Sequence, residues 1–427
     1  MINSSLRIAL RGLSSMVWES TFESVASKKA PNAQSLLLSR RHSLPSLQLH
    51  SSATSMMRVG GVRMSTFSAD RGGPPLTSST SSSASPVFPT YVPSSPQRKS
   101  GSGDVSPEIH EDMEDLFVEI RKELQGRDPE LCKVAEYYFD GQGKAIRPMI
   151  AIIMARAINA HLQGSSQSFL LPQQKKLALV TEMIHTATLV HDDVIDRSNK
   201  RRGKPSVNAL FGERRTIVGG DYVLAKAGAM VARLNSDEVT EILAQVLEDL
   251  VHGEFMQMDS SGDNSERFAH YIGKTFNKTA SLMAYSCKGV AILGGSDDSL
   301  AEKAFQYGKH LGIAFQLVDD LLDFVSSTAE MGKPVAADLQ LGLATAPVLF
   351  AAQKFPELNP LIERRFSEPD DVAKALELVK KSDGLEETKI LAQRYCSEAV
   401  RYANFLKPSV YRDDLVLLTE KVVNRTK

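Results

Sequence analysis

The spacing of apolar residues constrains the fold most, because it is helical along almost all of the last three quarters of the chain. In residues 113–124, and again in residues 243–250, apolar side chains recur three or four positions apart, as on one face of a helix. Glycine and proline signals at residues 141–143 and 332–334 end such segments. No stretch alternates as a series of strands would, and no repeat of fixed period occurs. The pattern predicts one all-α domain over residues 105–427, with ten or more helices and polar ligands held in its interior.

Residues 1–104 have a different composition, rich in Ser, Arg and Pro, with a serine tract at residues 78–85. Such a segment cannot bury enough apolar area to offset its conformational entropy. Its first third is basic and poor in acids, which is typical of an organellar transit peptide. Arg40, Arg41 and Arg63 favour a mitochondrion, with a plastid as the alternative. We therefore predict a transit peptide and leader over residues 1–104, against the alternative of a disordered cytosolic tail.

The overall composition excludes several classes of protein. The formal net charge of −1 lacks the basic excess of a nucleic-acid-binding protein, so we expect no nucleic-acid partner. Cys132, Cys287 and Cys396 lie far apart and match neither a zinc spacing nor a disulfide framework. No apolar run approaches the ~18–20 residues that a membrane-spanning helix needs. We expect a chain without a transmembrane segment in a reducing compartment.

The first of two aspartate clusters lies at the end of an apolar helical segment. Asp192 and Asp196 are four residues apart, so they share one helix face, and Asp193 lies beside them. Aspartates in an apolar helix repel one another and resist burial. The cluster is therefore easiest to account for if cations neutralise it.

The second cluster repeats this spacing far along the chain, with Asp319 and Asp323 four residues apart and Asp320 between them. Carboxylate oxygens suit Mg²⁺, which keeps several waters and also accepts substrate phosphate oxygens as ligands. Two facing clusters would hold metal ions on either side of one diphosphate and stabilise the charge that develops as it departs. The two clusters together predict such a site.

Two alternatives to a magnesium site remain open for the clusters. Either cluster alone is also compatible with a solvated acidic face or a helix cap. A di-iron bundle would require Glu-x-x-His pairs on two helices, and Glu182 with His185 is the one such pair near the clusters.

Basic residues recur beside the clusters and beside glycine and proline signals. Lys144 and Arg147 precede Pro148, which fits the first turn of a helix, and a basic helix start is a ready phosphate site. His185 lies seven residues before Asp192, near the face of the aspartates. The other candidates are Arg201, Arg202, Lys278 with Thr279, and Lys333. A single basic residue is usually a solvated surface charge, so the prediction of diphosphate binding depends on the recurrence.

These segments resemble the trans-isoprenyl diphosphate synthases over about residues 104–427. The shared motifs, in the order of that family, are GKAIRP, HDDVIDRSNKRRG, GEFMQ, NKTASL, FQLVDDLLDF and GKPVAADLQLGLATAP. The resemblance is greatest to the long-chain branch that makes the side chains of ubiquinone and plastoquinone. It implies an all-α fold of the isoprenoid synthase type, with a central cavity between the helices.

The resemblance also implies an activity and a role for each candidate residue. The reaction would be successive head-to-tail condensation of isopentenyl diphosphate onto farnesyl or geranylgeranyl diphosphate, through an allylic carbocation, to about C45 for ubiquinone. Mg²⁺ would be the cofactor and a homodimer the assembly. The catalytic set would be Asp192, Asp193, Asp196, Asp319, Asp320 and Asp323, and the metal ligands among them Asp192, Asp196, Asp319 and Asp323. Isopentenyl diphosphate would be bound by Lys144, Arg147, His185 and Arg202, and the allylic diphosphate by Arg201, Lys278, Thr279, Gln316 and Lys333.

One position departs from many short-chain members of the family, and two others bear on product length. Leu343 stands where many short-chain members have a lysine, so a direct phosphate contact by this residue is excluded.

Thr188 lies one turn before Asp192 on the same face, about 6 Å along the helix. The resemblance assigns Ala187 a similar role, since short-chain members tend to have an aromatic residue there. Small residues at both positions predict a tunnel for a long chain, or else merely close helix packing.

Three other functions remain as alternatives. A short-chain geranylgeranyl synthase would share the motifs. A non-catalytic subunit of a heteromeric prenyl synthase would be expected to lose an aspartate motif, and both are intact. A terpene cyclase would not need the GKAIRP and RRG segments.

Overall fold

The computed structural model describes residues 104–164, 168–258, 264–325 and 336–425. The predicted leader over residues 1–104 therefore lies outside the described residues, except for Asp104, as does Lys333. Across the described part of the chain, no helix is long and apolar enough to cross a membrane.

Helices make up nearly all of the described regular structure, which confirms the predicted all-α class. In chain order they are α1 Pro107–Glu114, α2 Leu116–Leu124, α3 Pro129–Glu136, α4 Ile146–Gln163, α5 Pro172–Ile195, α6 Val207–Phe211, α7 Glu213–Ala232, α8 Asp237–Met258, α9 Asn264–Thr275, α10 Ser281–Leu293, α11 Asp298–Val325, α12 Ala337–Gln340, α13 Ala346–Lys354, α14 Asn359–Glu363, α15 Asp371–Lys381, α16 Gly384–Ala403 and α17 Val410–Val423. A π-helical turn, Phe276–Ala280, joins α9 to α10, and a 3₁₀ turn, Pro356–Leu358, precedes α14. A small antiparallel hairpin pairs β1 Lys200–Arg201 with β2 Lys204–Pro205.

Local sequence signals account for where several helices begin and end. The Asp128 carboxylate accepts hydrogen bonds from the backbone N–H groups of Glu130 and Leu131, and so caps the start of α3. Ser409 caps α17 in the same way. Gly164 ends α4 with a left-handed φ of 66°, a conformation that glycine adopts without strain.

Three clusters of buried apolar side chains occur among the described residues. Two of them organise most of the helices, and the third is small and includes Val134 and Val190. The larger core surrounds α4, whose Ile150, Ile153 and Ile158 are almost fully buried, and it also takes side chains from α5, α7, α10 and α17. The smaller core packs the second half of α11 against α9, α13 and α15, and includes Leu317 and Val348. The two aspartate motifs lie at the ends of α5 and α11, which contribute side chains to these cores.

Candidate functional site

The first aspartate motif lies at the end of α5. Its outer residues, Asp192 and Asp196, have different surroundings from its middle residue, Asp193. Asp192 is half-buried and Asp196 is exposed, and the Asp196 N–H donates to the Asp192 carbonyl at 2.8 Å, which keeps the helical turn intact. Asp193 is fully buried, where its carboxylate accepts hydrogen bonds from Tyr138 Oη at 2.5 Å and Arg201 Nε at 2.7 Å. The outer pair can therefore take a metal ion, while the middle aspartate is bound within the fold.

The second motif, on α11, has the same division. Asp320 is buried and accepts hydrogen bonds from Tyr271 Oη at 2.5 Å and Gln316 Nε2 at 2.8 Å. Asp319 is partly exposed, and its Oδ1 lies 2.7 Å from Arg425 Nη2. Asp323 differs from its counterpart in the first motif, because its two carboxylate oxygens accept the backbone N–H groups of Ala337 and Asp338 at 3.2 Å each.

Burial and like charge make the first motif receptive to cations. Burial raises the pKa of Asp192 to about 6, and the neighbouring carboxylates of Glu254 and Asp196 add to this rise while Lys278 opposes it. Among the residues that the structure describes, no three carboxylate, histidine or cysteine side chains form a cluster that could hold a metal ion by themselves. Carboxylate oxygens are the ligands that hard divalent cations prefer, often together with phosphate oxygens of a substrate.

A polar chain links the π-helical turn to both motifs. Lys278 Nζ donates to Glu254 Oε2 at 2.5 Å and interacts electrostatically with Asp192, which raises the pKa of Lys278 although burial lowers it. Thr279 Oγ1 donates to Gln316 Oε1 at 3.0 Å, and Gln316 in turn donates to Asp320. The two motifs therefore share one polar wall.

A basic pocket lies between α4, α5 and the hairpin. Arg147 Nη1 lies 3.0 Å from His185 Nε2. The guanidinium of Arg202 lies so close to Gly143 that a Cβ there would approach its Nη1 to 2.5 Å, so the GKAIRP and RRG segments meet. Burial, together with Arg147 and Arg202, holds the pKa of His185 well below its ordinary value. An uncharged histidine among arginines can donate one hydrogen bond to an anion without adding to the charge repulsion.

The predicted site residues fall into three groups. The structure brings Arg147, His185 and Arg202 together in the basic pocket, and it brings Lys278, Thr279 and Gln316 together on the polar wall. Lys144 is exposed at the start of α4. Arg201 is bound to Asp193, and Lys333 lies outside the described residues.

Several residues of the site were not anticipated. Glu254 lies in the GEFMQ motif, so the motif itself was a signal. Glu182 is buried beside Arg147 and Arg202, and burial raises its pKa to about 7. Arg425 stacks over the Phe315 ring at 3.9 Å and pairs with Asp319, and no local pattern near the C-terminus indicates this.

The two positions connected with product length lie directly before the first motif. Ala187 is fully buried in the larger core. Thr188 is half-buried, and its hydroxyl donates to the His185 carbonyl at 2.7 Å. Their placement is compatible both with a tunnel for the product and with close helix packing.

Comparison with known proteins identifies the family of the chain. A family model for polyprenyl synthetase matches residues 128–379. The chain is 53% identical over 316 residues to all trans-polyprenyl-diphosphate synthase PDSS1 of Mus musculus, covering 74% of this chain and 77% of the mouse protein. It is 37% identical over 335 residues to the mitochondrial solanesyl-diphosphate synthase 1 of Oryza sativa subsp. japonica. This match covers 75% of this chain and 78% of the rice protein.

A solved structure extends the comparison to the fold. Polyprenyl synthase from Caulobacter crescentus CB15, in complex with calcium and isoprenyl diphosphate, matches with a TM-score of 0.68 and 32% identity, covering 78% of this chain and all of the other. The family resemblance indicated by the motifs is confirmed. The mouse protein is more similar to this chain than the rice protein is.

Proposed function

The chain belongs to the polyprenyl synthetase family and is a trans-prenyltransferase, and from this premise we propose that it adds successive isopentenyl diphosphate units to farnesyl or geranylgeranyl diphosphate. The product would be an all-trans chain of about C45 for the ubiquinone side chain. The relatives include synthases of hexaprenyl, decaprenyl and solanesyl diphosphates, which favours a long-chain product over the short-chain and non-catalytic alternatives.

One observation supports the chemistry most directly. Each aspartate motif buries its middle residue against a tyrosine and leaves its first residue partly exposed. Basic side chains lie beside the motifs in two separate places, the basic pocket and the polar wall. Asp192, Asp196 and Asp319 would hold Mg²⁺, which when bound would stabilise the charge on the departing diphosphate. Asp323 would join this set only by releasing its bonds to the N–H groups of Ala337 and Asp338.

The chain's own residues would bind and orient the two substrates. Arg147, His185 and Arg202, with Lys144 at the rim, would hold the diphosphate of isopentenyl diphosphate. Lys278, Thr279 and Gln316, together with Arg201 and Lys333, would hold that of the allylic primer. No side chain needs to act as acid or base if the departing diphosphate accepts the proton. The apolar helices around the site would exclude the water that quenches a carbocation.

The names of relatives and the composition of the leader bear on where the protein is located. Relatives from rice and from Neurospora crassa are named as mitochondrial, which agrees with the basic, acid-poor leader. We therefore propose import into mitochondria with removal of the leader. The homodimer implied by the family resemblance stays a prediction.

The test uses purified chain beginning near Asp104, assayed with labelled isopentenyl diphosphate and each primer. We expect activity that a chelator abolishes and Mg²⁺ restores, with products of about C45 by chromatography. Asp192→Ala or Asp319→Ala should lower turnover by about a thousandfold or more. Each variant would lose a ligand of the Mg²⁺ that stabilises the negative charge on the departing diphosphate.

Asp383→Ala is the control, since Asp383 is exposed and pairs with Lys354 at the surface. Near-normal turnover in Asp192→Ala or Asp319→Ala would contradict the metal site. Products no longer than geranylgeranyl diphosphate would contradict the long-chain assignment. Loss of folding in the shortened chain would show that the leader belongs to the domain, and light scattering of the same sample reports the assembly.

A further inference from the structure

A small basic cavity lies beside the second aspartate motif. Its volume is about 50 Å³, room for a few water molecules, and it lies between α9, the end of α8 and residues 342–344. Its lining combines apolar side chains, among them Leu343, Leu349 and Ile362, with the basic residues Arg267, His270, Lys274 and Arg365. Among the described residues no carboxylate lines it. An anion is the class of ligand that such a lining favours.

The basic residues of this cavity differ in what they bind. Arg267 donates to Asn359 at 2.8 Å and to Glu363 at 2.9 Å, and His270 Nε2 lies 3.0 Å from the Met256 carbonyl. Lys274 Nζ lies 5.7 Å from the centre of the Tyr271 ring, and within the described part of the chain it forms no hydrogen bond or ion pair. Burial lowers the pKa of Lys274, an effect that a bound anion would reverse.

Lys274 is related to the second motif as Lys278 is to the first. The two lysines are one helical turn apart. Lys278 interacts with Asp192 and Asp196 of the first motif. Lys274 interacts electrostatically with Asp320 of the second motif and with Asp338, without contacting either closely enough to form an ion pair. Each aspartate motif therefore has one lysine from the same stretch of chain.

Leu343 lines the same cavity as Lys274. The Leu343 side chain is uncharged, so residues 342–344 bring no positive charge to their side of the cavity. We propose that Lys274 binds the allylic diphosphate, and so provides from α9 the positive charge that Leu343 does not. This inference rests on the proposed function and adds a binding residue to its allylic site.

A structural role is the alternative. Lys274 would then only offset the negative charges of Asp320 and Asp338, and its loss would destabilise the fold without affecting one substrate more than the other. Moving the positive charge from position 274 to position 343, which lines the same cavity, distinguishes the two roles. If Lys274 binds diphosphate, a lysine at position 343 would restore that binding from a different part of the chain.

The experiment compares Lys274→Met, which keeps the length of the side chain without its charge, with the double variant Lys274→Met/Leu343→Lys. We measure KM for each substrate, the Kd of inorganic diphosphate in the presence of Mg²⁺ by calorimetry, and the melting temperature. Lys354→Met, at an exposed lysine paired with Asp383, is the control.

We expect Lys274→Met to raise KM for the allylic primer and the Kd of inorganic diphosphate by about tenfold or more, as for loss of a charge-assisted hydrogen bond. KM for isopentenyl diphosphate should stay within about twofold, and the double variant should regain most of the lost affinity. Equal effects on both substrates, or a lower melting temperature with unchanged diphosphate affinity, would overturn the proposal.

If Lys274→Met does not fold, the double variant decides the question alone, since a folded double variant with weak diphosphate binding would also overturn the proposal. A wild-type chain that condenses no prenyl diphosphates would instead refute the proposed function. The two failures are therefore distinguishable.

Discussion

At the scale of single residues, the middle aspartate of each motif is hydrogen-bonded within the fold, and the metal ligands that we propose are its neighbours. Asp193 joins α5 to Tyr138 and to Arg201 of the hairpin, and Asp320 joins α11 to Tyr271 of α9. A buried carboxylate needs such partners, because an unpaired buried charge is costly. The D-D-x-x-D spacing thus combines one anchored residue with outer residues that are available to a cation in the first motif, whereas the second motif uses its last aspartate as a cap.

Glu182 gives a pH-dependent prediction at this scale. Burial raises its pKa to about 7 from an ordinary value of 4.5. The folded chain therefore holds a proton that the unfolded chain has lost between these pH values, so stability falls as pH rises through this window. The glutamine in Glu182→Gln cannot ionise. At pH 8 we therefore expect the unfolding free energy of this variant to be higher than that of wild type by up to about 3 kcal/mol.

Melting temperatures at pH 4.5 and pH 8 would check this. The difference between Glu182→Gln and wild type should be several degrees at pH 8 and small at pH 4.5. Glu238→Gln, at an exposed position on α8, is the control and should show no such dependence. A difference that is the same at both pH values would show that the amide acts through packing and not through ionisation.

At the scale of elements, the packing of α11 against the preceding segment sets the position of the second motif. A Cβ added at Gly312 would lie 2.6 Å from Ala280 Cα, and one added at Gly308 would lie 2.6 Å from the Met283 carbonyl oxygen. The two glycines are one turn apart and bring the backbones into direct contact. Asp319 and Asp320 follow two turns later on the same helix.

Gly312→Ala should therefore destabilise the chain and reduce turnover. The added methyl group must push α11 away from the π-helical turn, at a cost of about 1–3 kcal/mol that exceeds the gain in helix propensity. Gly273→Ala is the control, because the nearest atom to its new Cβ is Met256 Cε at 3.5 Å, an ordinary contact. A melting temperature equal to that of wild type in Gly312→Ala would show that the two elements are not held at this distance.

Much of this could be predicted from sequence, because it depends on neighbours along the chain. The helical periodicity indicated the all-α class, and the spacing of Asp192 and Asp196 placed both on one turn. The capping of α12 by Asp323 could not be predicted, since it depends on where the chain returns at residues 336–338. The pairing of Asp319 with Arg425, over a hundred residues later, likewise arises only from tertiary packing.

At the scale of the whole molecule, the two aspartate motifs lie on helices that contribute to different hydrophobic cores, α5 to the larger and α11 to both. The larger core, around α4 and α5, begins directly beneath the first motif at Ala187. A chain that grows by several isoprene units must enter an apolar interior, because exposing it to water would cost about 0.8 kcal/mol for each CH₂ group. The larger core reaches Ala187, five residues before Asp192, and Val190 beside the motif belongs to a small cluster with Val134 and Val207.

This arrangement predicts that bulk at Ala187 or Thr188 shortens the product. Ala187→Phe adds a ring about 7 Å along the helix from Asp192, without removing a metal ligand. If the growing chain passes this point, condensation should continue but end near farnesyl or geranylgeranyl diphosphate, as measured by chromatography of labelled products. Thr188→Phe, at a half-buried position that accommodates a ring more easily, should act in the same direction.

Overpacking by itself must be distinguished from blocking, because a ring inserted in a close-packed core costs about 1–3 kcal/mol wherever it lies. Ala178→Phe provides this comparison, since Ala178 is fully buried in the same core on the same helix but well over three turns from Asp192. It should lower the melting temperature and leave product length unchanged. If Ala187→Phe and Thr188→Phe also keep the long product while activity falls, the small residues serve helix packing and the chain grows along another path.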